Sequence, residues 1–244
     1  MIILAFDSTA KAASVAVCDG EKLLANYNID NGLTQSELLL PMAENMLASL
    51  KLTFDDVELL ACSVGPGSFT GVRIGVALVK GIAFGKNIPC ISVSTLDELA
   101  ENLKGLEGII VPCMDARRNQ VYTATYRGKD GELEKLTVDR AIAISELAEE
   151  LREYVGTPIY LSGDGYEVAK RGLESAGIKV SNTPKLLITE NAYSVAAIAK
   201  RKYEAGEYGT DLEIAPTYLR VPQAERERLE RLARQESNTN GSKA

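Results

Sequence analysis

The chain has 244 residues, of which 45% are hydrophobic and 25% charged, and its formal net charge is −7. This composition is ordinary for a soluble globular protein, and the length suffices for one large domain or two small ones. The acidic balance argues against a broad nucleic-acid surface, because phosphate binding needs clustered Lys and Arg. The chain contains no histidine, so any chemistry must proceed without the commonest general base and metal ligand.

The N-terminus and the cysteines predict a cytoplasmic protein. Residues 1–6 are apolar and run straight into Asp7, so they lack the basic segment and the length of a secretory signal. No apolar run reaches membrane-spanning length. The four cysteines are Cys18, Cys62, Cys90 and Cys113. They form no Cys-x-x-Cys pair, and small core residues are a better interpretation than metal or disulfide roles.

The first half of the sequence predicts a three-stranded meander followed by alternating helices and strands. The predicted strands are 2–6, 13–18, 21–29, 59–64 and 90–93. The predicted helices are 36–50, a glycine-rich helix after Gly67, and a helix that ends at Leu103. Ser94 or Thr95 caps this last helix, and Glu98 is placed for a capping box.

The second half repeats the pattern of the first. The predicted strands are 109–114, 121–126, 133–138 and 158–162, and the predicted helices begin at Ser145, after Gly165 and at Asn191, the last one ending at Glu204. Each half has an apolar strand, an acidic turn and an Asp-Gly hairpin corner. The repeat predicts two duplicated α/β domains, 1–104 and 105–220, with a cleft between them. Residues 221–244 are predicted to be a charged, mobile tail.

Aspartates end the first strand of each half, at Asp7 and Asp115. A carboxylate at such a point can hold a magnesium-bound phosphate, while the following backbone cradles its oxygens. Glycine after a later strand lets a nucleoside approach the backbone. The residues of this predicted vestigial nucleotide site are Asp7, Ser8, Thr9, Asp115, Gly163, Asp164 and Gly165. The alternative interpretation is that both aspartates stop strands and accept hydrogen bonds from turn amides.

The run from Gly65 to Gly75 connects a buried strand to a helix. Free backbone N–H groups at such a helix start are typical of an anion site. The phosphate-loop motif fails because the required lysine is missing, and the dinucleotide fingerprint fails because its third glycine and its acidic residue are missing. Gly71 and Gly75 share one helical face, which predicts close packing either within the core or against another chain.

Four blocks of the sequence carry a family resemblance: 3–9 (ILAFDST), 65–75 (GPGSFTGVRIG), 114–122 (MDARRNQVY) and 215–220 (APTYLR). They resemble the TsaB family of bacterial threonylcarbamoyladenosine synthesis. The resemblance implies an actin-like, sugar-kinase-like fold of two duplicated α/β domains with mixed sheets flanked by helices. It also implies a non-catalytic subunit that binds the TsaD-type transferase, and with it the TsaE-type ATPase, to modify tRNAs that read codons beginning with A.

The resemblance further implies that the first two helices bind TsaD, or a second copy of the chain when TsaD is missing. The predicted interface residues are Leu38, Leu39, Met42, Met46, Gly71, Arg73, Gly75 and Val79. The alternative is that both helices lie within the fold's own layers. The chain itself is expected to require no metal or cofactor, whereas the complex uses ATP or ADP with magnesium. It is expected to contact tRNA only through the complex and to bind no membrane.

One position departs from the family pattern. Members commonly carry a His-Ser pair before the leucine-proline run, whereas this chain has Gln35-Ser36. It therefore cannot reproduce the metal site of TsaD-like transferases, which uses two histidines, and it offers no zinc pair or nucleophile–histidine pair for a peptidase. The second hypothesis for function is an ATP-dependent phosphotransferase of the same fold, with Asp115 as its base.

Overall fold

The computed structural model describes residues 1–220, which form two sheets and six helices. The strands are β1 (Ile2–Asp7), β2 (Ala13–Asp19), β3 (Lys22–Ile29), β4 (Leu59–Ser63), β5 (Cys90–Val93), β6 (Gly108–Asp115), β7 (Gln120–Thr123), β8 (Tyr126–Lys129), β9 (Glu132–Lys135), β10 (Arg140–Ala143) and β11 (Ile159–Ser162). The helices are α1 (Gln35–Ser49), α2 (Phe69–Ala83), α3 (Thr95–Glu101), α4 (Ile144–Leu151), α5 (Tyr166–Ser175) and α6 (Ala192–Glu204), with short 3-10 turns at Phe54–Asp56, Arg152–Tyr154 and Lys185–Leu187. Within this part of the chain no helix combines the length and apolar character that crossing a membrane requires.

The first sheet has the strand order β3-β2-β1-β4-β5. Strand β1 is antiparallel to β2 and parallel to β4, which is parallel to β5. Because side chains alternate along a strand, Leu4 and Phe6 face α1 and α2, whereas Ile3 and Ala5 face α6. Both faces of the sheet are therefore covered, which explains why the β1 sequence is apolar without alternation.

The second sheet is built around β6, with one partner strand broken in two. Cys113 pairs with Thr123 of β7 and Ile110 pairs with Tyr126 of β8, so both strands continue a single antiparallel register. The break falls at Thr125, whose N–H donates to Oγ1 of Thr137 at 2.8 Å instead of to the ladder. The prediction of one strand at 121–126 is therefore corrected to two strands. The predicted strand at 133–138 is replaced in the same way by β9 and β10.

The two sheets repeat one topology. Strand β11 is parallel to β6 on the side away from β7 and β8, so the order of β3, β2, β1 and β4 recurs in the second half. Helices α1 and α4 follow the third strand of each unit, and α2 and α5 follow the fourth. The predicted α/β, actin-like fold class with two duplicated units is confirmed.

Helices α3 and α6 are exchanged between the units. The face of α3 with Leu96 and Leu99 packs on the second sheet, whereas α6 packs through Val195 and Ala196 on the first. The layers therefore run α1/α2, first sheet, α6/α3, second sheet, α4/α5. Each unit is thus completed by a helix from the other half, and the boundary between 1–104 and 105–220 stays a prediction. The predicted tail, 221–244, lies outside the described residues.

Candidate functional site

The turn after β1, which the sequence places in a nucleotide site, is fully buried. Asp7, Ser8 and Thr9 have no exposed surface. The N–H and hydroxyl groups of Thr9 donate to the two Asp7 carboxylate oxygens at 3.1 and 2.9 Å. The Ser8 hydroxyl donates to the Gly71 carbonyl at 2.8 Å. These polar groups are therefore satisfied within the chain.

The glycine-rich segment before and within α2 covers this turn. The Ser68 N–H donates to the Thr9 carbonyl at 2.7 Å. A Cβ on Gly67 would overlap the Thr9 carbonyl oxygen, one on Gly71 would overlap the Ser8 carbonyl oxygen, and one on Gly75 would stand 2.5 Å from the Ser8 Oγ. The small face of α2 thus packs against β1 of the same chain. At the start of α2, the Ser68 N–H donates to the Thr9 carbonyl and the Gly71 N–H donates to the Ser68 hydroxyl, so these two groups are not free for the predicted anion site.

Three buried carboxyl groups lie behind the turn. Asp7 and Glu98 are fully buried, and Glu190 is 2% exposed. The Ser63 hydroxyl and the Asn191 N–H donate to the Glu98 carboxylate. Glu98 therefore does not form the predicted capping box, although Ser94 caps α3 as expected by accepting from the Leu96 N–H.

Burial changes the protonation of all three groups. Removal from water disfavours the charged form, and it raises the pKa of Asp7 above its ordinary value. Burial, followed by the nearby charge of Asp7, raises the pKa of Glu98 well above its ordinary value and that of Glu190 to about 8. Neighbouring carboxyls of this kind titrate as a group, so the cluster retains protons to a higher pH than the same carboxyls do in water.

The second half does not complete a nucleotide pocket with this turn. The Asp115 carboxylate accepts from the Arg117 N–H, and the Asp164 carboxylate accepts from the Asp115 N–H, both at 2.8 Å. Asp7 accepts from the amide two residues ahead in the same way, which agrees with the alternative interpretation that both aspartates cap turns. Gly163 and Gly165 pack against the carbonyl oxygen of Cys113.

Of the seven predicted nucleotide residues, Asp115 and Asp164 line a cavity with a volume of about 500 Å³. The residues present do not fit a magnesium-bound phosphate, because Asp7 is occupied by Thr9 and sealed beneath the glycine segment. Across residues 1–220 no group of three or more His, Cys, Asp or Glu is arranged to hold a metal ion.

The predicted interface residues divide into one exposed side chain and seven buried positions. The buried ones are Leu38, Leu39, Met42, Met46, Gly71, Gly75 and Val79. The large side chains among them pack beneath the first sheet, so they cannot form a partner surface without unfolding the core. Arg73 is exposed, and its Nε donates to the Tyr218 hydroxyl at 2.8 Å.

The cavity also contains residues that the sequence reasoning did not assign to a site. They are Lys11, Gln35, Phe69, Arg117, Tyr122 and Arg220. Arg117, Tyr122 and Arg220 belong to two of the sequence blocks that carry the family resemblance, and this membership was the signal that could have identified them. Gln35, which stands where the family has histidine, donates through Nε2 to the Ala10 carbonyl at 2.7 Å.

Comparison with known proteins identifies one family. The family model described as TsaD, tRNA N6-adenosine threonylcarbamoyltransferase, matches residues 34–227. The tRNA threonylcarbamoyladenosine biosynthesis protein TsaB of Bacillus subtilis is 30% identical over 237 residues, which cover 94% of this chain and 99% of that protein. The TsaB protein of Escherichia coli is 28% identical over 90% of this chain and 95% of its own length. A crystal structure of an uncharacterized Pseudomonas aeruginosa protein with similarity to peptidase YeaZ superposes with a TM-score of 0.73 at 25% identity, covering 90% of this chain and 99% of that chain.

Two glycines of α2 allow a matched test of the packing. We expect Gly71→Ala to lower the free energy of unfolding by about 1–3 kcal/mol, because the new Cβ overlaps the Ser8 carbonyl. Gly81→Ala on the same helix meets no atom within 4 Å and should raise that free energy by about 0.5–1 kcal/mol through helix propensity. Urea unfolding measures both changes. Equal effects of the two substitutions would contradict the close approach of Gly71 to the Ser8 carbonyl.

The buried carboxyls predict an unusual pH dependence. Between about pH 4.5 and 8 the folded chain holds more protons than the unfolded chain, so the free energy of unfolding falls as pH rises, by about 1.4 kcal/mol per pH unit for each retained proton. Because the chain has no histidine, few other side chains titrate in this window. We expect Glu190→Gln to make the fall shallower, and Glu174→Gln, at an exposed position of α5, to leave it unchanged. Urea unfolding at several pH values gives the slope of the free energy of unfolding against pH. Identical slopes for the parent and Glu190→Gln would show that Glu190 does not retain a proton in the folded chain.

Proposed function

Because this chain belongs to the TsaB family, we propose that it is a non-catalytic subunit that partners a TsaD-type transferase in forming threonylcarbamoyladenosine in tRNA. The observation that carries the proposal is the burial of Asp7, Ser8 and Thr9 beneath the glycine segment. An actin-like enzyme needs this turn open to phosphate, whereas a subunit that acts by binding does not. The fold alone would not distinguish the two roles.

The proposed partner surface is the outward side of α1 and α2. This side carries Leu40, which is 39% exposed, and the exposed Ala77 and Gly81, with Ile74 and Leu78 half-buried. The combination of small and apolar positions on two adjacent helices suits close packing against another helix. We therefore keep α1 and α2 as the proposed partner-binding helices. The contact is assigned to their outward residues instead of to the buried residues predicted from the sequence. In the absence of a TsaD-type partner, a second copy of the chain is proposed to occupy the same surface.

Further parts of the proposal concern the complex and its place in the cell. The TsaE-type ATPase joins through the TsaD-type subunit, and nucleotide and magnesium act in the complex and not in this chain's cleft. The modified tRNAs are proposed to be those that read codons beginning with A. The chain is proposed to work in the cytoplasm.

Reconstitution tests the proposed function. We expect no threonylcarbamoyl transfer to tRNA by this chain alone when threonylcarbamoyl-adenylate is supplied, because the turn after β1 is buried beneath the chain's own glycine segment. Transfer should require the TsaD-type and TsaE-type proteins of the same organism and should stop when this chain is omitted. Incorporation of labelled threonine into tRNA measures the activity.

Two outcomes would count against this role. Transfer by the chain alone at the rate of the complete set would make it an enzyme. A dissociation constant for ATP with magnesium near 1 μM, which is about 8 kcal/mol of binding, lost on Asp7→Ala, would favour the phosphotransferase hypothesis.

A charge on the outward helix surface tests the partner site. We expect Leu40→Asp to weaken binding of the TsaD-type protein by at least about tenfold, because the interface would have to desolvate a carboxylate. Leu186→Asp is the matched control, since Leu186 is 87% exposed and lies in the 3-10 turn before α6. Calorimetric titration measures affinity, and circular dichroism checks that both variants remain folded. Equal affinity of the two folded variants would exclude this surface.

A further inference from the structure

A loop of strained backbone conformation separates two concavities on the molecule. Arg117, Arg118 and Asn119 connect β6 to β7 with φ values of 65°, 55° and 55°. Non-glycine residues adopt this left-handed region rarely, because Cβ crowds the backbone. Arg117 lines the cavity of about 500 Å³, whereas Arg118 lines a neighbouring depression of about 800 Å³. The loop thus presents one guanidinium to each concavity.

Basic side chains gather around both concavities, although the whole chain carries a net charge of −7. The basic residues that line them are Lys11, Arg117, Arg118, Arg171 and Arg220. The two carboxylates among the lining residues, Asp115 and Asp164, each accept a backbone N–H. Among the ion pairs of residues 1–220, none includes Lys11, Arg117 or Arg118. These three cations therefore lack a salt-bridge partner among the described residues and can still meet an anionic partner, although the charges of Lys11 and Arg117 also favour the charged form of Asp164.

Aromatic rings continue the basic surface. The rings of Phe69 and Tyr218 stack with centroids 4.9 Å apart. The Arg73 guanidinium lies 5.6 Å from the Tyr218 ring centre, and the Arg220 guanidinium lies 5.6 Å from the Tyr122 ring centre. All of these residues except Arg73 meet around one small crevice. Arg220 is held in place because it donates to the Ala116 carbonyl at 3.2 Å and to the Gln120 side chain at 2.5 Å.

We propose that this surface binds a single-stranded segment of RNA directly. We call it the cleft-mouth surface, and it consists of Lys11, Phe69, Arg73, Arg117, Arg118, Tyr122, Arg171, Tyr218 and Arg220. The cations contact phosphates, and unpaired bases extend the existing Phe69–Tyr218 stack and the Arg220–Tyr122 pair. The proposal rests on the proposed function only for the source of the RNA, which is the anticodon loop of the tRNA substrate. It replaces the expectation that this chain meets tRNA only through the complex.

Single-stranded RNA fits this surface better than other anions do. An acidic peptide would use the cations but has no flat bases to stack on Tyr122 and Tyr218. A duplex would keep its bases paired and stacked, away from these rings. A lone nucleotide would use one concavity, whereas the loop places Arg117 and Arg118 in two. The alternation of cations and rings matches a chain that alternates phosphates and bases.

Fluorescence anisotropy with the full-length chain tests the proposal. The probes are an anticodon stem-loop RNA, a duplex of the same length and a polyglutamate peptide. At 50 mM salt we expect a dissociation constant of about 1–100 μM for the stem-loop and weaker binding of the other two probes. Binding of the duplex or the peptide as tight as that of the stem-loop would overturn the proposal, and so would no binding of the stem-loop.

Matched variants separate the two kinds of contact. Arg117→Glu should weaken stem-loop binding and reduce the slope of log affinity against log salt by about 0.7, whereas Lys179→Glu, at an exposed position after α5, should change neither. Tyr218→Ala should weaken binding roughly 5- to 150-fold through lost stacking. Tyr193→Ala is its control, because Tyr193 is 37% exposed and Tyr218 is 40% exposed. Circular dichroism confirms folding of each variant, and equal losses in a variant and its control would overturn the assigned surface.

The outcome is independent of the proposed function. If the chain binds no RNA but threonylcarbamoyl transfer still depends on it, the cleft-mouth surface is refuted and the proposed subunit role stands. If transfer does not depend on the chain but Arg117→Glu and Tyr218→Ala weaken stem-loop binding as expected, the surface stands and the subunit role fails.

Discussion

The carbonyl groups of Ser8 and Thr9 occupy the space that side chains would fill on the neighbouring helix, and this backbone contact organises the surrounding structure. It requires glycine at Gly67 and Gly71, and it holds the start of α2 against the end of β1. With α2 in this place, the turn after β1 has no room for a phosphate. The Asp7 carboxylate instead accepts hydrogen bonds from the N–H and hydroxyl groups of Thr9. The turn and the start of α2 thus form one buried, close-packed unit.

The fold was largely predictable because its apolar patterns are local. Strands such as β1 and β2, and the repeat of the two halves, follow from periodicity and turn residues that a single sequence displays. The exchange of α3 and α6 was not predictable in this way, since both helices bury small apolar faces that either sheet could accept. Glu98 shows the same limit at one residue. Its spacing from the α3 cap matches a capping box, but Ser63 and the Asn191 N–H, which are distant in sequence, are its partners.

The candidate site was predicted less well than the fold, for a physical reason. Sequence indicates which residue types can bind a ligand, whereas exposure depends on what packs over them. Leu39 and Met46 read as surplus apolar surface, yet they fill the space between α1 and the first sheet. Nothing in the sequence distinguishes Arg117 from Arg118, and only the structure shows that they line separate concavities. The buried carboxyls likewise acquire their raised pKa values from tertiary burial, which the order of residues does not display.

The interleaving of the two units has a consequence for how the chain folds during synthesis. The face of β1 and β2 that α6 covers is made well before α6, because the Ala192 N–H donates to the Ser14 hydroxyl across 178 residues. At ribosomal speeds of about 5–20 residues per second, this face waits about 10–35 s for its cover. Contacts of such high sequence separation slow folding. The nascent first half therefore keeps this apolar face of its sheet exposed until α6 has been made.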